Sequence, residues 1–214
     1  MMRCPLCLAT SASRFDTVHA KVYWRCPACL LIFLQPEYRL DPEAERARYE
    51  LHENRPDDIR YRQFLSRLAD PLIPKLPPGA EGLDYGSGPG PTLSVMLEAQ
   101  GFRMQLYDPF FAPDTAVLKR TYDFITCTET VEHFYAPHDE FTRFNCLLHG
   151  GGWLGIMTEM LETDDQFHDW WYHRDETHVC FYRAETMGWI GRAFGWEAEF
   201  PRKNVVLFQK GHRR

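Results

Sequence analysis

No stretch of the 214 residues approaches the ~18 consecutive apolar residues that a membrane-spanning helix needs. Positive charge is also scarce: 24 Lys and Arg stand against 30 Asp and Glu, a net charge of -6, so the basic coat of a nucleic-acid binder is missing. The chain has no internal repeat and no low-complexity segment, which argues against a solenoid or a tail. With 44% hydrophobic and 14% aromatic residues it has ample material for a core, and disorder is excluded. The opening residues Met1-Met2-Arg3-Cys4-Pro5 carry no apolar stretch, which predicts no secretory leader and a cytoplasmic protein. The length fits one domain with an appendage, or two small domains, and nothing in it speaks for an oligomeric state.

Seven cysteines are present, and four of them form two tight pairs: Cys4-Pro5-Leu6-Cys7 and Cys26-Pro27-Ala28-Cys29. An odd total in a chain of this kind points to reduced thiols and a metal rather than to disulfides. Two cysteines separated by two residues can aim both sulfurs at one ion, and a second such turn completes a tetrahedron. Four thiolates fill that coordination sphere, so the ion is expected to be structural, Zn2+ ahead of iron. A unit of about 35 residues has too little area for a core of its own, and the metal would supply the missing folding energy. The quartet resembles a zinc ribbon. Its charge is mildly basic, Arg3, Arg14, Lys21 and Arg25 against Asp16, which is weak evidence for RNA.

After the ribbon (1–35), residues 36–78 read as a helical linker. Asp41 is an N-cap with Pro42 behind it, opening a helix expected to run to Asn54, and Ile59 to Leu68 has apolar residues at helical spacing. From 79 to 214 strand and helix patterns alternate. Strands are expected at 82–85, 103–107, 122–127, 153–158, 196–200 and 205–209, with helices at 92–100, 139–148 and 184–194. Such alternation predicts an α/β fold with helices on both faces of a largely parallel, doubly wound sheet.

Asp84-Tyr85-Gly86-Ser87-Gly88-Pro89-Gly90 lies between the first of these strands and a helix. Glycines there let the chain turn sharply and let a ligand approach the backbone. A dinucleotide fingerprint would need Gly or Ala at the position that Pro91 occupies. The observed pattern resembles motif I of the class I S-adenosylmethionine-dependent methyltransferases, whose Rossmann-like sheet fits the alternation. The resemblance implies that Asp84, Gly86, Ser87, Gly88 and Gly90 bind S-adenosyl-L-methionine, with the carboxylate near the cationic methionine end. A pyrophosphate would be repelled by that same carboxylate. Asp108, 24 residues beyond Asp84 at the end of the next strand, is in place for the ribose hydroxyls.

The run Tyr122 to Phe134 (YDFITCTETVEHF) resembles motif IV, with Thr128 and Glu129 at the strand tip facing cofactor or substrate. Its Glu-His pair followed by Pro137 is similar to the branch that includes ubiquinone-biosynthesis methyltransferases. One departure stands out: residues 109–121 are too few for the family's third strand and its helix, so no adenine contacts can be assigned.

Residues 159–178 hold seven acids, one Arg and the aromatics Phe167, Trp170, Trp171 and Tyr172. This is where family members place a substrate cover; the alternative is an acidic surface helix with its aromatic side in the core. Methyl transfer to oxygen or carbon needs a base, and His is the natural one near neutral pH. His178 and His133 lead, followed by His173 and Asp175, while Cys127 reads as a buried strand residue. The expected activity is methylation of a small-molecule acceptor on O, N or C. Two rivals remain: an RNA base methyltransferase using the ribbon for recognition, disfavoured by the net charge and the acidic cover, and a non-enzymatic interaction module on a methyltransferase scaffold.

Overall fold

A computed structural model describes residues 1–51 and 54–212 of the chain. Six strands make the main sheet: β4 (Glu81–Tyr85), β5 (Arg103–Tyr107), β6 (Tyr122–Thr128), β7 (Leu148–Met157), β9 (Trp196–Arg202) and β10 (Val205–Lys210), in the order β5-β4-β6-β7-β10-β9. The β5-β4-β6-β7 portion is parallel, whereas β10 runs antiparallel to both β7 and β9.

Period-two alternation sends side chains to two different cores. On one face Phe124, Trp153, Met157, Val205 and Leu207 meet α2 (Ile59–Leu72) and α3 (Thr92–Glu98) through Leu65, Leu68, Leu72, Leu93 and Leu97. On the other, Ile125, Leu154, Ile156, Val206 and Phe208 meet α4 (Pro137–Leu147) and α5 (Ala184–Phe194) through Phe141, Phe144, Met187 and Ile190. The sheet is therefore wound on both faces, as the alternation predicts.

Several boundaries differ from expectation, each for a local reason. The first linker helix, α1, covers Pro42–Tyr49, with the Asp41 side chain accepting from the amides of Glu43 and Ala44. It stops well short of Asn54; residues 52 and 53 lie outside the described residues. No α1 side chain is buried, so packing adds nothing to hold further turns. Helix α2 continues past Leu68 to Leu72 and takes Pro71 into its last turn, held by Leu68, Ala69 and Leu72 in the core. Between Asp108 and Tyr122 the backbone makes only a 3-10 turn, Thr115–Lys119. The third strand of the family pattern is absent among the described residues, and β5 forms the edge of the sheet.

The N-terminal strands β1 (Ser13–Val18), β2 (Lys21–Arg25) and β3 (Ile32–Leu34) form a second sheet, which does not end within the first 35 residues. Its fourth strand is β8 (Cys180–Phe181), from far along the chain, with Ile32 opposite Phe181 and Phe33 opposite Cys180. The apolar residues of this N-terminal sheet and the α4–α5 face of the main sheet form one continuous core.

Candidate active site

A cavity of about 1050 Å³ opens at the carboxyl ends of β4, β5 and β6, where ligands bind in open α/β sheets. Asp84, Gly86, Ser87, Gly88, Gly90, Asp108, Thr128 and Glu129 all line it, as do His133, His178 and Asp175. His173 does not. It is buried beside the N-terminal sheet, its Nε2 bonded to the His168 carbonyl at 3.2 Å and its ring against those of Phe167 and His19. Cys127 is fully buried in β6.

At one end the chain leaves β4 through a turn in which Gly86 has φ +77 and Gly88 φ +63. A Cβ on Gly86 would lie 2.3 Å from Thr130, and one on Gly90 would lie 1.6 Å from the Asn54 carbonyl oxygen, so close approach requires glycine at both. Asp84 is buried beneath the turn and accepts hydrogen bonds from Ser94 Oγ (2.9 Å) and Thr126 Oγ1 (2.8 Å). Burial pushes its carboxyl up to about 6 despite those two donors, and no cation bonds to it among the described residues. Ser87 Oγ is likewise buried without a partner. A polar ligand with a cationic end would complete both groups, and S-adenosylmethionine has that chemistry.

Asp108 is more heavily engaged than expected. One carboxylate oxygen accepts from Gly88 N at 3.0 Å, the other from the amides of Phe110 (2.9 Å) and Phe111 (3.0 Å). An ionised carboxylate offers about four lone-pair sites, so roughly one remains for a ribose hydroxyl, where the resemblance implies two.

The opposite end of the cavity is acidic and aromatic. Glu129 follows β6 with φ +47, an unfavourable conformation for a side chain of its kind, and its Oε1 is buried without a partner. Burial, then the nearby Glu132 and Glu159, push its carboxyl well above the usual range. Glu132 is fully buried; it accepts from Thr158 Oγ1 at 2.9 Å and from the Tyr172 hydroxyl. His133 and His178 approach edge to face, ring centroids 4.8 Å apart. Each is held through Nδ1 by a backbone carbonyl, His133 by Thr177 (3.1 Å) and His178 by Tyr172 (2.7 Å). A carbonyl only accepts, so both Nδ1 atoms carry a proton, and in the neutral imidazole the lone pair then sits on Nε2. Burial lowers the His178 pKa, which keeps that ring neutral near pH 7.

Sequence reasoning notes Glu132 and Tyr172 only as parts of a motif and of an aromatic cluster and passes over Thr158, because their contacts join distant elements. The segment 159–178 is not the surface helix of the alternative reading. It forms two 3-10 turns, Asp164–Asp169 and Trp171–Arg174. Phe167 enters the core, Tyr172 is buried between core and cavity, and Trp171, 58% exposed, stands at the cavity. Across the mouth, Arg48 of α1 pairs with Asp175 at 3.6 Å.

Away from this cavity, the sulfurs of Cys4, Cys7, Cys26 and Cys29 all lie within 4.8 Å of one another. The two turns that carry them repeat the same backbone scheme. Leu8 N donates to Cys4 O and Leu30 N to Cys26 O; Cys4 N donates to Ala9 O and Cys26 N to Leu31 O. Leu8 and Leu30 share positive φ values of 63 and 61. Protons satisfy such a cluster poorly: the bond from Cys29 pulls the Cys4 thiol down to about 6, while burial pushes Cys7 up to about 12. A dication shared by four thiolates removes that conflict, so the donor set fits Zn2+.

The parallel sheet, the glycine turn above a buried carboxylate and the acid after the second strand define an S-adenosylmethionine-dependent methyltransferase. Residues 51–199 match the family model described as a methyltransferase domain, and the chain belongs to that family. Among solved structures, it is similar to a complex between the Haloferax volcanii Trm112 methyltransferase activator and a putative methyltransferase (12% identity, TM-score 0.50, 78% of this chain and 98% of that one). The PH0226 protein of Pyrococcus horikoshii OT3 is similar to the same degree (12% identity, TM-score 0.50, 77% and 98%). These likenesses concern the fold. No curated protein matches the sequence. Among the described residues no helix is long and apolar enough to cross a membrane.

Proposed function

We propose that this methyltransferase acts on a small-molecule acceptor, within the branch that resembles the ubiquinone-biosynthesis enzymes. The observation that supports this most is a single cavity with two unlike ends. One end is a glycine turn flanked by Asp84 and Asp108; the other gathers Glu129, Glu132, His133 and His178. S-adenosylmethionine, when bound, supplies an electrophilic methyl group on a sulfonium. Asp84 would hold its cationic methionine end, and Asp108 one ribose hydroxyl, with Gly86, Ser87, Gly88, Gly90 and Thr128 in contact. The acceptor then lies toward Tyr172 and the two histidines. A free Nε2 on His178 or His133 takes its proton, and Trp171 with the Arg48–Asp175 pair limits access of water.

Cys4, Cys7, Cys26 and Cys29 hold a structural Zn2+ in this reading, which suits the reducing cytoplasm. Residues 1–35 are the ribbon, 36–78 the helical linker and cap, and 79–214 the methyltransferase domain. The ribbon braces the catalytic end. Leu34 N donates to Val179 O and Val179 N to Glu132 O, while Pro5 O and Leu6 O accept from the backbone and Nδ1 of His138.

Incubation with methyl-labelled S-adenosylmethionine and either a protein-free small-molecule extract or total RNA tests the acceptor class. Label appearing in the small-molecule fraction is expected. Label confined to RNA would overturn it in favour of an RNA base, and label in neither, with no cofactor bound, would favour the scaffold.

A further inference from the structure

We propose that Glu132, His133 and His178 form a second metal site, for a divalent cation that prefers nitrogen and oxygen donors. The carboxylate and ring donor atoms of the three lie within 4.8 Å of one another. Both imidazoles are arranged as metal-binding histidines usually are, with Nδ1–H donated to a backbone carbonyl and the Nε2 lone pair left over. Glu132 is oriented by two hydroxyl donors, Thr158 and Tyr172. These occupy one lone pair on each of its oxygens and leave others for an ion.

A second observation is independent of these ligands. Glu132 is fully buried at this end, and the half-buried Glu129 has one carboxylate oxygen, Oε1, buried with no partner. Glu159 adds to the negative field, and among the described residues Arg67 is the cation whose charge acts on Glu129. Buried carboxylates in this number call for a compensating cation. Neither Lys nor Arg forms an ion pair with Glu129 or Glu132 among the described residues. A dication at Glu132–His133–His178 would supply that charge from within the cluster.

Two histidines and one carboxylate make an open site, since three protein donors leave coordination positions unfilled. The site lines the cavity, so those positions face the acceptor end. They suit a hydroxyl or carboxylate oxygen of the acceptor. This last step rests on the small-molecule reading above; the metal site itself does not. With an ion bound, the imidazoles act as ligands instead of bases, and the acceptor hydroxyl would lose its proton to solvent because the cation stabilises its oxyanion.

Mn2+ separates this site from the cysteine quartet, because it favours oxygen and nitrogen over thiolate. Electron paramagnetic resonance titration of the full chain with MnCl2 is expected to show one saturable Mn2+ per chain. His178→Gln and Glu132→Gln should each weaken it at least tenfold, while Cys26→Ser leaves Mn2+ stoichiometry unchanged if the main sheet stays folded by circular dichroism. His178→Gln is the safer variant, as Glu132 is fully buried. The absence of a saturable Mn2+ site in the wild type, or equal affinity in folded His178→Gln, would overturn the proposal. The titration reads occupancy and not turnover, so it can fail while methyl transfer stands.

Discussion

The two donor clusters of this protein are built in opposite ways. The cysteine quartet draws its ligands from two short turns of identical backbone pattern, and four thiolates leave nothing open. The Glu132–His133–His178 cluster draws its ligands from two distant segments and faces the large cavity. One arrangement suits holding a chain together, the other suits holding a ligand. They are also joined: β8 pairs with the N-terminal strand β3, and β8 follows directly on His178 and Val179. A change in the first cluster should therefore loosen the packing around the second while leaving its donors in place.

Breaking the quartet should have the largest effect. Cys26→Ser is expected to release bound Zn2+ and to cost on the order of 4 kcal/mol or more in stability, because the ribbon shares its core with α4 and α5. Atomic absorption and thermal denaturation measure both; full metal content in the variant would show that the quartet is not a site. Next in size is Asp108→Ala, which removes the acceptor for three backbone amides as well as a ribose contact. Cofactor affinity should fall by roughly 1–3 kcal/mol in calorimetry, and an unchanged affinity would place the ribose elsewhere.

Tyr172→Phe sharpens the contrast between closed and open clusters. It takes away one of two hydroxyls that orient Glu132, so Mn2+ affinity should drop about 10- to 100-fold with Zn2+ content unaffected. Loss of Zn2+ instead would mean that Tyr172 serves the ribbon core. The smallest effect is on pH. Asp84 sits at about 6, raised by burial from the ordinary value of 3.8. The folded protein thus holds this proton more tightly than the unfolded chain. Ligand-free stability from this group is present below about pH 4 and lost as pH rises toward 6. Cofactor binding runs the other way, since a cationic ligand favours the ionised carboxylate. Affinity should be about tenfold weaker at pH 5 than at pH 7, and Asp84→Asn should flatten that dependence. A profile that is flat in the wild type would separate Asp84 from the ligand.

How much of this was legible in the sequence follows the same division. The quartet, the glycine turn, Asp84 and Asp108 are local patterns, in which spacing along the chain dictates spacing in space. Strands such as Arg103–Tyr107 and the helix Ala184–Phe194 closed by Gly195 were equally readable, because alternation, helical spacing and a left-handed C-cap are local too. The open cluster was only half legible. His133 and His178 were candidates as separate bases, but their meeting depends on a two-residue strand that joins the ribbon sheet. Glu132 gave no signal apart from its neighbour His133, since burial of a carboxylate is set by tertiary packing. For the same reason the aromatics of 159–178 could not be divided in advance between core (Phe167), cavity (Trp171) and both (Tyr172).

Isothermal calorimetry of the purified chain with S-adenosylmethionine at pH 7, repeated with its demethylated product and with NAD+, tests the assignment of the cavity most directly. The account predicts saturable one-to-one binding of both sulfur compounds, strongly weakened in Asp84→Asn, and no heat from the dinucleotide. Saturable binding of NAD+ with neither sulfur compound bound would contradict it.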